Sequence, residues 1–225
     1  MFNYVSCISW MHSVERSAPV CVFIQLADLE PSFRPPNAEA QGLEESQDFF
    51  MDEIVDLYQG ELVYMDSELG KFFGRLKQAG RYQNAMIALT ADHGQGLGYG
   101  NEILSGTFAF DGTTHVPLII KWPSDEHAGQ VIETTVQTTD LTPSVLSTLK
   151  IKAAPPSLDL PEGRDLGVLL DGEKRAANWR NAYIESHQPF MQAGLGKVRA
   201  LRRAKDLIVF SAGKSAYFKM DYAEA

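Results

Sequence analysis

Three short apolar runs constrain the fold of this chain more than any other feature. They cover residues 19–27, 84–90 and 116–122, and polar stretches separate them. Runs of this length and composition are typical of strands that are buried on both faces of a sheet. Such strands occur mostly in parallel sheets with helices packed on both sides. We therefore predict an α/β fold, with a mostly parallel sheet flanked by helices.

The segments around these runs predict helices and a strand-rich tail. Apolar residues recur at helical spacing from about residue 46 to 78, and Gly80 is placed to end that helix. A second helix is expected over 141–149, because Pro143 suits the first turn of a helix. Short strand-like segments follow at 181–185, 198–202, 206–210 and 217–220. The tail is therefore predicted to be a small C-terminal β-rich appendage with antiparallel pairing.

Length and charge limit the possible domain organisation and partners. The 225 residues can form one large domain, which we divide into an α/β core over 1–150 and a strand-rich segment of the same domain over 151–225. The 20 basic and 29 acidic residues give a net charge of −9. Because nucleic-acid binding needs clustered Lys and Arg, no nucleic-acid partner is expected.

Two further absences in the sequence bear on where the chain works. No stretch reaches the ~18–20 apolar residues of a membrane span, so no membrane segment is expected. The N-terminus lacks the basic flank and long apolar core of a signal peptide. We therefore expect a soluble chain, and the sequence leaves its compartment open.

The strongest chemical signal follows the second apolar run. Residues 90–100 read Thr-Ala-Asp-His-Gly-Gln-Gly-Leu-Gly-Tyr-Gly, so Asp92 and His93 stand at the end of a predicted strand, ahead of alternating glycines. In open α/β sheets, ligands bind beyond the carboxyl ends of strands. A carboxylate beside an imidazole suits a divalent metal ion, and glycines let backbone N–H groups approach an anion. A second interpretation stays open, in which Asp92 caps a turn and His93 packs beside it.

Several segments in sequence order match the motifs of one known family. Residues 91–98 are similar to a DHGEGLG motif, and residues 110–123 to a YDSTxxVPLIIRWP segment. The other matching segments are residues 23–36, 58–70, 139–146, 162–172, 183–186 and 197–209. Together they resemble the sulfatase family of the alkaline-phosphatase superfamily. The resemblance implies the C-terminal part of an alkaline-phosphatase-like catalytic domain, without its nucleophile region.

This resemblance implies a metal-dependent hydrolase of sulfate esters, with an anionic ester as its substrate. In the family the DHGEGLG motif supplies two metal ligands, which here would be Asp92 and His93. The implied cofactor is a divalent metal, with Ca²⁺ as the first choice and Mg²⁺, Mn²⁺ or Zn²⁺ as alternatives. His115 precedes the third apolar run and is the candidate substrate-binding residue. A hydrogen-bonded packing role is the alternative for His115.

Departures from the family pattern affect the chemistry. The family nucleophile, often a cysteine within CxPSR, has no counterpart, because neither Cys7 nor Cys21 is followed by that sequence. Cys21 lies in the first apolar run and is expected to be buried. Glu30 and Ser105 stand where relatives carry histidines that contact the sulfate or protonate the leaving oxygen. Since hydrolysis needs a nucleophile and charge compensation, we assign no catalytic residue.

We therefore expect this chain alone to be inactive, as a partial or degenerate copy of a sulfatase. Two alternatives stay open beside sulfate-ester hydrolysis. One is a phosphate-ester hydrolase or transferase of the same superfamily, which shares the Asp-His metal strand. The other is a non-catalytic homologue that acts as a binding module, which the substitutions at Glu30 and Ser105 favour.

Overall fold

The computed structural model describes residues 9–11, 13–15, 20–26, 51–151, 163–170, 181–194 and 196–219. The chain divides into two compact units, residues 1–85 and residues 86–225. The helices are α1 (Met51–Gln78), α2 (Asp111–Thr114), α3 (Leu141–Thr148), α4 (Gly167–Leu170) and α5 (Gln188–Ala193). The strands are β1 (Ile87–Thr90), β2 (Leu118–Lys121), β3 (Ala182–Ser186), β4 (Val198–Arg203), β5 (Asp206–Ser211) and β6 (Lys214–Lys219). None of the helices in these ranges has the length and apolar character needed to cross a bilayer. The domain division at residue 150 stays a prediction.

α1 is the long helix that the apolar spacing predicts, and it ends where Gly80 was expected to stop it. Gly80 has a φ of +68°, a left-handed conformation that glycine adopts without steric cost. The N–H of Gly80 donates to the Lys77 carbonyl at 3.0 Å, and the N–H of Arg81 donates to the Leu76 carbonyl at 3.1 Å. These are the two hydrogen bonds of a Schellman motif. Residues 46–50 of the predicted helix lie outside the described residues.

The first apolar run does not form the predicted strand over its described residues, 20–26. Residues 20–26 show no strand pairing, and the Phe23 side chain is 89% exposed. Cys21 is exposed as well, so the expectation that it is buried is wrong. A strand needs a neighbour that satisfies its N–H and C=O groups, and no described strand pairs with this run. The Pro-rich loop that follows, together with Glu30, lies outside the described residues.

The pairing of β1 with β2 differs from the predicted parallel sheet. The two strands run antiparallel, from Ile87 opposite Lys121 to Thr90 opposite Leu118. A parallel pair needs a long crossover, usually a helix, and the α-helix described between these strands is the four-residue α2. Ile119 is 65% exposed, so β2 is not buried on both faces. Helices and sheets are mixed as predicted, but every pairing in the described part is antiparallel.

The strands β3 to β6 form the predicted β-rich appendage. They follow one another in an antiparallel sheet whose spatial order matches the sequence order. The inner face carries Val198, Ala200 and Leu207, which form a buried hydrophobic cluster with Ala109. Ala109 belongs to the segment between β1 and β2. This packing therefore joins the C-terminal sheet to the segment that follows β1.

A buried polar network fixes the segment around α4 against α3, the helix predicted after residue 140. The Asp140 carboxylate accepts the N–H groups of Gln137 and Arg164, both at 2.8 Å. The Ser144 hydroxyl donates to the Asp140 carbonyl at 2.6 Å and accepts the N–H of Leu166 at 2.8 Å. Both side chains are fully buried, where polar groups are stable only when hydrogen-bonded.

Candidate functional site

Asp92 and His93, called the Asp-His pair below, lie directly beyond the carboxyl end of β1. The strand ends at Thr90, so the predicted position of the pair relative to the strand is confirmed. One carboxylate oxygen of Asp92, Oδ1, accepts the backbone N–H of His93 at 3.0 Å. This bond orients the carboxylate in the way that the turn-capping interpretation requires. The Asp92 side chain is 80% exposed, so its other oxygen, Oδ2, is accessible to a ligand.

The backbone also orients the imidazole of His93. Its Nδ1 lies 3.1 Å from the carbonyl oxygen of Gly94. Because a carbonyl oxygen only accepts hydrogen bonds, Nδ1 is the donor of this contact, and in the neutral imidazole the lone pair is then on Nε2. Nε2 lies 4.0 Å from Oδ1 of Asp92. Metal-binding histidines commonly hold their other ring nitrogen in this way, so the pair presents two donor groups to one small region.

The glycines after the pair serve close backbone packing. The N–H of Gly94 donates to the Thr113 carbonyl at 2.8 Å, and the N–H of Gly96 donates to the Leu104 carbonyl at 2.7 Å. A Cβ added to Gly96 would lie 2.1 Å from the carbonyl oxygen of Glu102, where no side chain fits. These two amides are therefore used inside the loop. The expectation that they approach an anion is wrong for Gly94 and Gly96.

Glu102 places a second carboxylate inside the same loop. Its side chain is only 5% exposed, and Oε1 accepts the N–H groups of Thr107 at 2.6 Å and Phe108 at 3.3 Å. The other oxygen, Oε2, is buried and has no hydrogen-bond partner in the part of the chain that the structure describes. Glu102 thus holds the backbone of the loop at residues 107 and 108. The sequence did not reveal Glu102, because the loop has no periodicity.

His115 is linked to the pair through α2. The helix contacts the loop at Gly94, where an added Cβ would meet the Gly112 carbonyl oxygen at 2.3 Å. His115 follows the last residue of α2, and its N–H donates to the Asp111 carbonyl at 2.9 Å. The side chain is exposed. His115 is thus held on the helix that supports the pair, and its role in substrate binding stays a prediction.

The donor set of the Asp-His pair fits part of a divalent-metal site. Carboxylate oxygens suit Ca²⁺, Mg²⁺ and Mn²⁺, and imidazole suits Zn²⁺. Among the residues whose placement the structure gives, no third His, Cys, Asp or Glu joins them in a metal-binding group. Ca²⁺ takes about six to eight oxygen ligands. The pair can therefore fill two positions of a coordination shell, and the other ligands must come from elsewhere.

Glu185 and Ser186 end β3 and differ in what they contact. Glu185 accepts hydrogen bonds from His187 at 2.8 Å and from Arg199 at 3.1 Å. These bonds lower the pKa of Glu185 to about 2, and the bond from His187 contributes most. Glu185 pairs across the strands with Arg199, on the face opposite the buried cluster. The Ser186 hydroxyl instead donates to the Gly106 carbonyl, so it contacts the loop.

Comparison with known proteins gives a family model, described as Sulfatase, that matches residues 21–151. Among curated proteins, the chain is similar to an arylsulfatase of Clostridium perfringens, with 26% identity over 167 residues. That alignment covers 73% of this chain and 33% of the relative. It is also similar to an ulvan-active sulfatase of Formosa agariphila, with 27% identity over 158 residues. Here the coverage is 69% of this chain and 28% of the relative.

Among solved structures, the chain is similar to a phosphonate monoester hydrolase of Agrobacterium radiobacter. The TM-score is 0.62 at 25% identity, and the match covers 75% of this chain and 35% of that one. A phosphonate monoester hydrolase of Silicibacter pomeroyi matches over 92% of this chain and 44% of that one, with a TM-score of 0.61 at 24% identity. The chain thus spans about a third of the length of the curated relatives, and less than half of these two structures.

Proposed function

The chain belongs to the sulfatase family, and from this premise we propose that it carries the cation-binding loop of a sulfate-ester hydrolase. Asp92 and His93 bind a divalent cation, with Ca²⁺ as the first choice and Mg²⁺, Mn²⁺ or Zn²⁺ as alternatives. The anionic ester then lies beside the cation, and His115 is the candidate residue that contacts it. The position of Asp92 and His93 directly after β1, with Nε2 of His93 4.0 Å from the Asp92 carboxylate, supports the proposal most directly.

Each residue of the loop has a distinct task in this proposal. Asp92 offers its exposed oxygen. His93 offers Nε2, which carries the lone pair of the neutral imidazole when Nδ1 donates to the Gly94 carbonyl. Glu102 holds the backbone of the loop through the N–H groups of Thr107 and Phe108, and His115 donates a hydrogen bond to an ester oxygen. A bound divalent cation would offset the negative charge that develops on the ester oxygens during hydrolysis.

We do not propose that this chain catalyses ester hydrolysis by itself. The sequence contains no CxPSR nucleophile, and Ser105 is neutral where relatives carry a histidine. Removing one electrostatic donor typically lowers a rate by ~10²–10³, and loss of the nucleophile removes the covalent step as well. We therefore propose cation and ester binding without catalysis by the isolated chain.

Sulfate esters are the first candidate because the family model and the two curated relatives are sulfatases. A sulfate monoester carries one negative charge, whereas a phosphate monoester carries up to two near neutral pH. The attraction to a bound cation and the repulsion from Asp92 both scale with that charge, so the family membership carries the choice of sulfate. A phosphate- or phosphonate-ester role is the second candidate, which the likeness to the Agrobacterium radiobacter phosphonate monoester hydrolase supports.

Metal binding can be tested by replacing Asp92 with asparagine. Millimolar Ca²⁺ should raise the melting temperature of the wild-type chain, because a ligand that binds only the native state stabilises it. The rise should vanish in Asp92→Asn and in His93→Ala. Asp66→Asn is the matched control, since Asp66 is an exposed aspartate on α1. A melting temperature that none of the four cations changes, or an equal rise in Asp92→Asn, would refute the proposed metal pair.

Ester specificity can be tested by calorimetry and by turnover assays of the same sample. Aryl sulfate should bind the cation-loaded chain more tightly than aryl phosphate at equal ionic strength, and neither should be hydrolysed. Tighter binding of the phosphate would favour the second candidate. Sustained release of the aryl alcohol by the purified chain would contradict the proposal that it lacks catalysis.

A further inference from the structure

A buried ion pair connects the C-terminal sheet to the helix that supports the Asp-His pair. Nη2 of Arg202 lies 2.9 Å from Oδ2 of Asp111. The Arg202 side chain is 9% exposed and that of Asp111 is 14% exposed. Arg202 lies in β4 and Asp111 is the first residue of α2, so the contact joins parts of the chain that are 91 positions apart.

The position of Arg202 in its strand is unusual for a charged residue. Strand residues two apart point to the same face, so Arg202 shares the inner face with Val198 and Ala200. Both of these are buried, and Leu207, which pairs with Arg202 across the strands, is also fully buried. A guanidinium among apolar side chains is costly unless it is paired. Asp111 supplies that partner.

The ion pair leads to the Asp-His pair through a short series of contacts. Asp111 begins α2, and the Thr113 carbonyl near its end accepts the Gly94 N–H at 2.8 Å. Gly94 in turn offers the carbonyl oxygen that faces Nδ1 of His93. The N–H of His115 donates to the Asp111 carbonyl at 2.9 Å. Displacement of Asp111 would therefore disturb both sides of the proposed binding site.

We propose that Arg202 and Asp111 are positioning residues for the Asp-His pair. The C-terminal sheet holds α2 in place through them, and α2 holds the Gly94 backbone that orients His93. The cation affinity of the loop then depends on an arginine that does not touch the cation. The expected effect on cation affinity rests on the proposed function, whereas the effect on the conformation of the loop can be measured without metal.

A structural role alone predicts a different outcome from a positioning role. A buried ion pair can often be replaced by apolar residues without loss of stability. If the pair only filled space, Arg202→Met combined with Asp111→Leu would keep both the fold and the loop geometry. If it positions the loop, the double variant stays folded but its loop loses the fixed conformation.

The first measurement is hydrogen exchange of the metal-free full chain at the amides of residues 93–98. We expect faster exchange there in Arg202→Met and in the double variant, and intermediate exchange in Arg202→Lys, which retains the charge. Arg199→Met is the matched control, because Arg199 lies in the same strand and pairs with Glu185 on the outer face. Should Arg202→Met fail to fold, Asp111→Asn, which keeps the shape of the side chain, takes its place.

The second measurement is Ca²⁺ affinity by calorimetry. Loss of an outer-shell partner typically weakens metal binding about 10–100-fold, and we expect a loss in that range for Arg202→Met and no change for Arg199→Met. Exchange at residues 93–98 that is equal in wild type and in the folded Arg202 and Asp111 variants would overturn the inference. If the wild type binds no Ca²⁺, the proposed function fails, and the exchange data alone decide on the positioning role.

Discussion

Replacing Gly96 with alanine tests whether backbone packing requires glycine in the loop of the Asp-His pair. The added Cβ would lie 2.1 Å from the Glu102 carbonyl oxygen and 2.8 Å from that of Leu104. Both contacts are with backbone atoms, which cannot rotate away as a side chain can. The loop must therefore open, and the hydrogen bond from the Gly96 N–H to the Leu104 carbonyl, now 2.7 Å, is lost.

The expected loss of stability follows from these contacts. Opening the loop also breaks the 2.8 Å bond from the Gly98 N–H to the Glu102 carbonyl. Each backbone hydrogen bond contributes about 0.5–1.5 kcal/mol net, and forcing extra atoms into a packed region costs about 1–3 kcal/mol. We therefore expect Gly96→Ala to lower the free energy of unfolding by about 2–6 kcal/mol.

Urea unfolding followed by circular dichroism measures this loss, and Gly112→Ala is its control. A Cβ on Gly112 would have no neighbour closer than 3.5 Å, although one of those neighbours is Gly96 itself. Gly112 lies in the four-residue α2, where the added methyl group would meet only ordinary van der Waals contacts. Gly112→Ala should thus be neutral or slightly stabilising. Equal unfolding midpoints for the two variants would refute the packing explanation.

Two further predictions concern other parts of the second unit. The pKa of Glu185 falls from 4.5 to about 2 on folding, so its contribution to stability is present above pH 4.5 and is lost as the pH falls toward 2. Stability measured between pH 5 and pH 2 should therefore decline less steeply in Glu185→Gln, and identical slopes would argue against its pairing with His187 and Arg199. Ser144→Ala should cost about 1–3 kcal/mol of unfolding free energy, because the buried N–H of Leu166 loses its acceptor. A urea midpoint equal to that of the wild type would contradict that role.

Features with a short repeat were predictable from the sequence. The apolar spacing gives α1, and the glycine after it ends the helix because a left-handed residue is needed there. Short strand-like segments in the tail predicted β3 to β6, which pair in an antiparallel sheet. The Asp-His pair was likewise found from its place directly after an apolar run, and it does follow β1.

Contacts between distant residues escaped prediction. Nothing in residues 84–122 shows that β1 and β2 pair antiparallel, because direction depends on the path of the connection between them. The Arg202–Asp111 pair joins residues 91 positions apart, and the period of two places Arg202 on the inner face without naming its partner. Glu102 lies in an irregular loop whose hydrogen bonds follow no repeat.

The amino-acid order thus determined the helix, the strand-rich tail and the location of the Asp-His pair, because each depends on neighbours within a few residues. Tertiary structure decided the direction of β1 and β2, the exposure of Cys21 and Phe23, and the backbone contact between Thr113 and Gly94, next to His93. Those features depend on which distant backbone and side-chain groups meet. No local periodicity encodes such contacts, since they join residues that are far apart in the sequence.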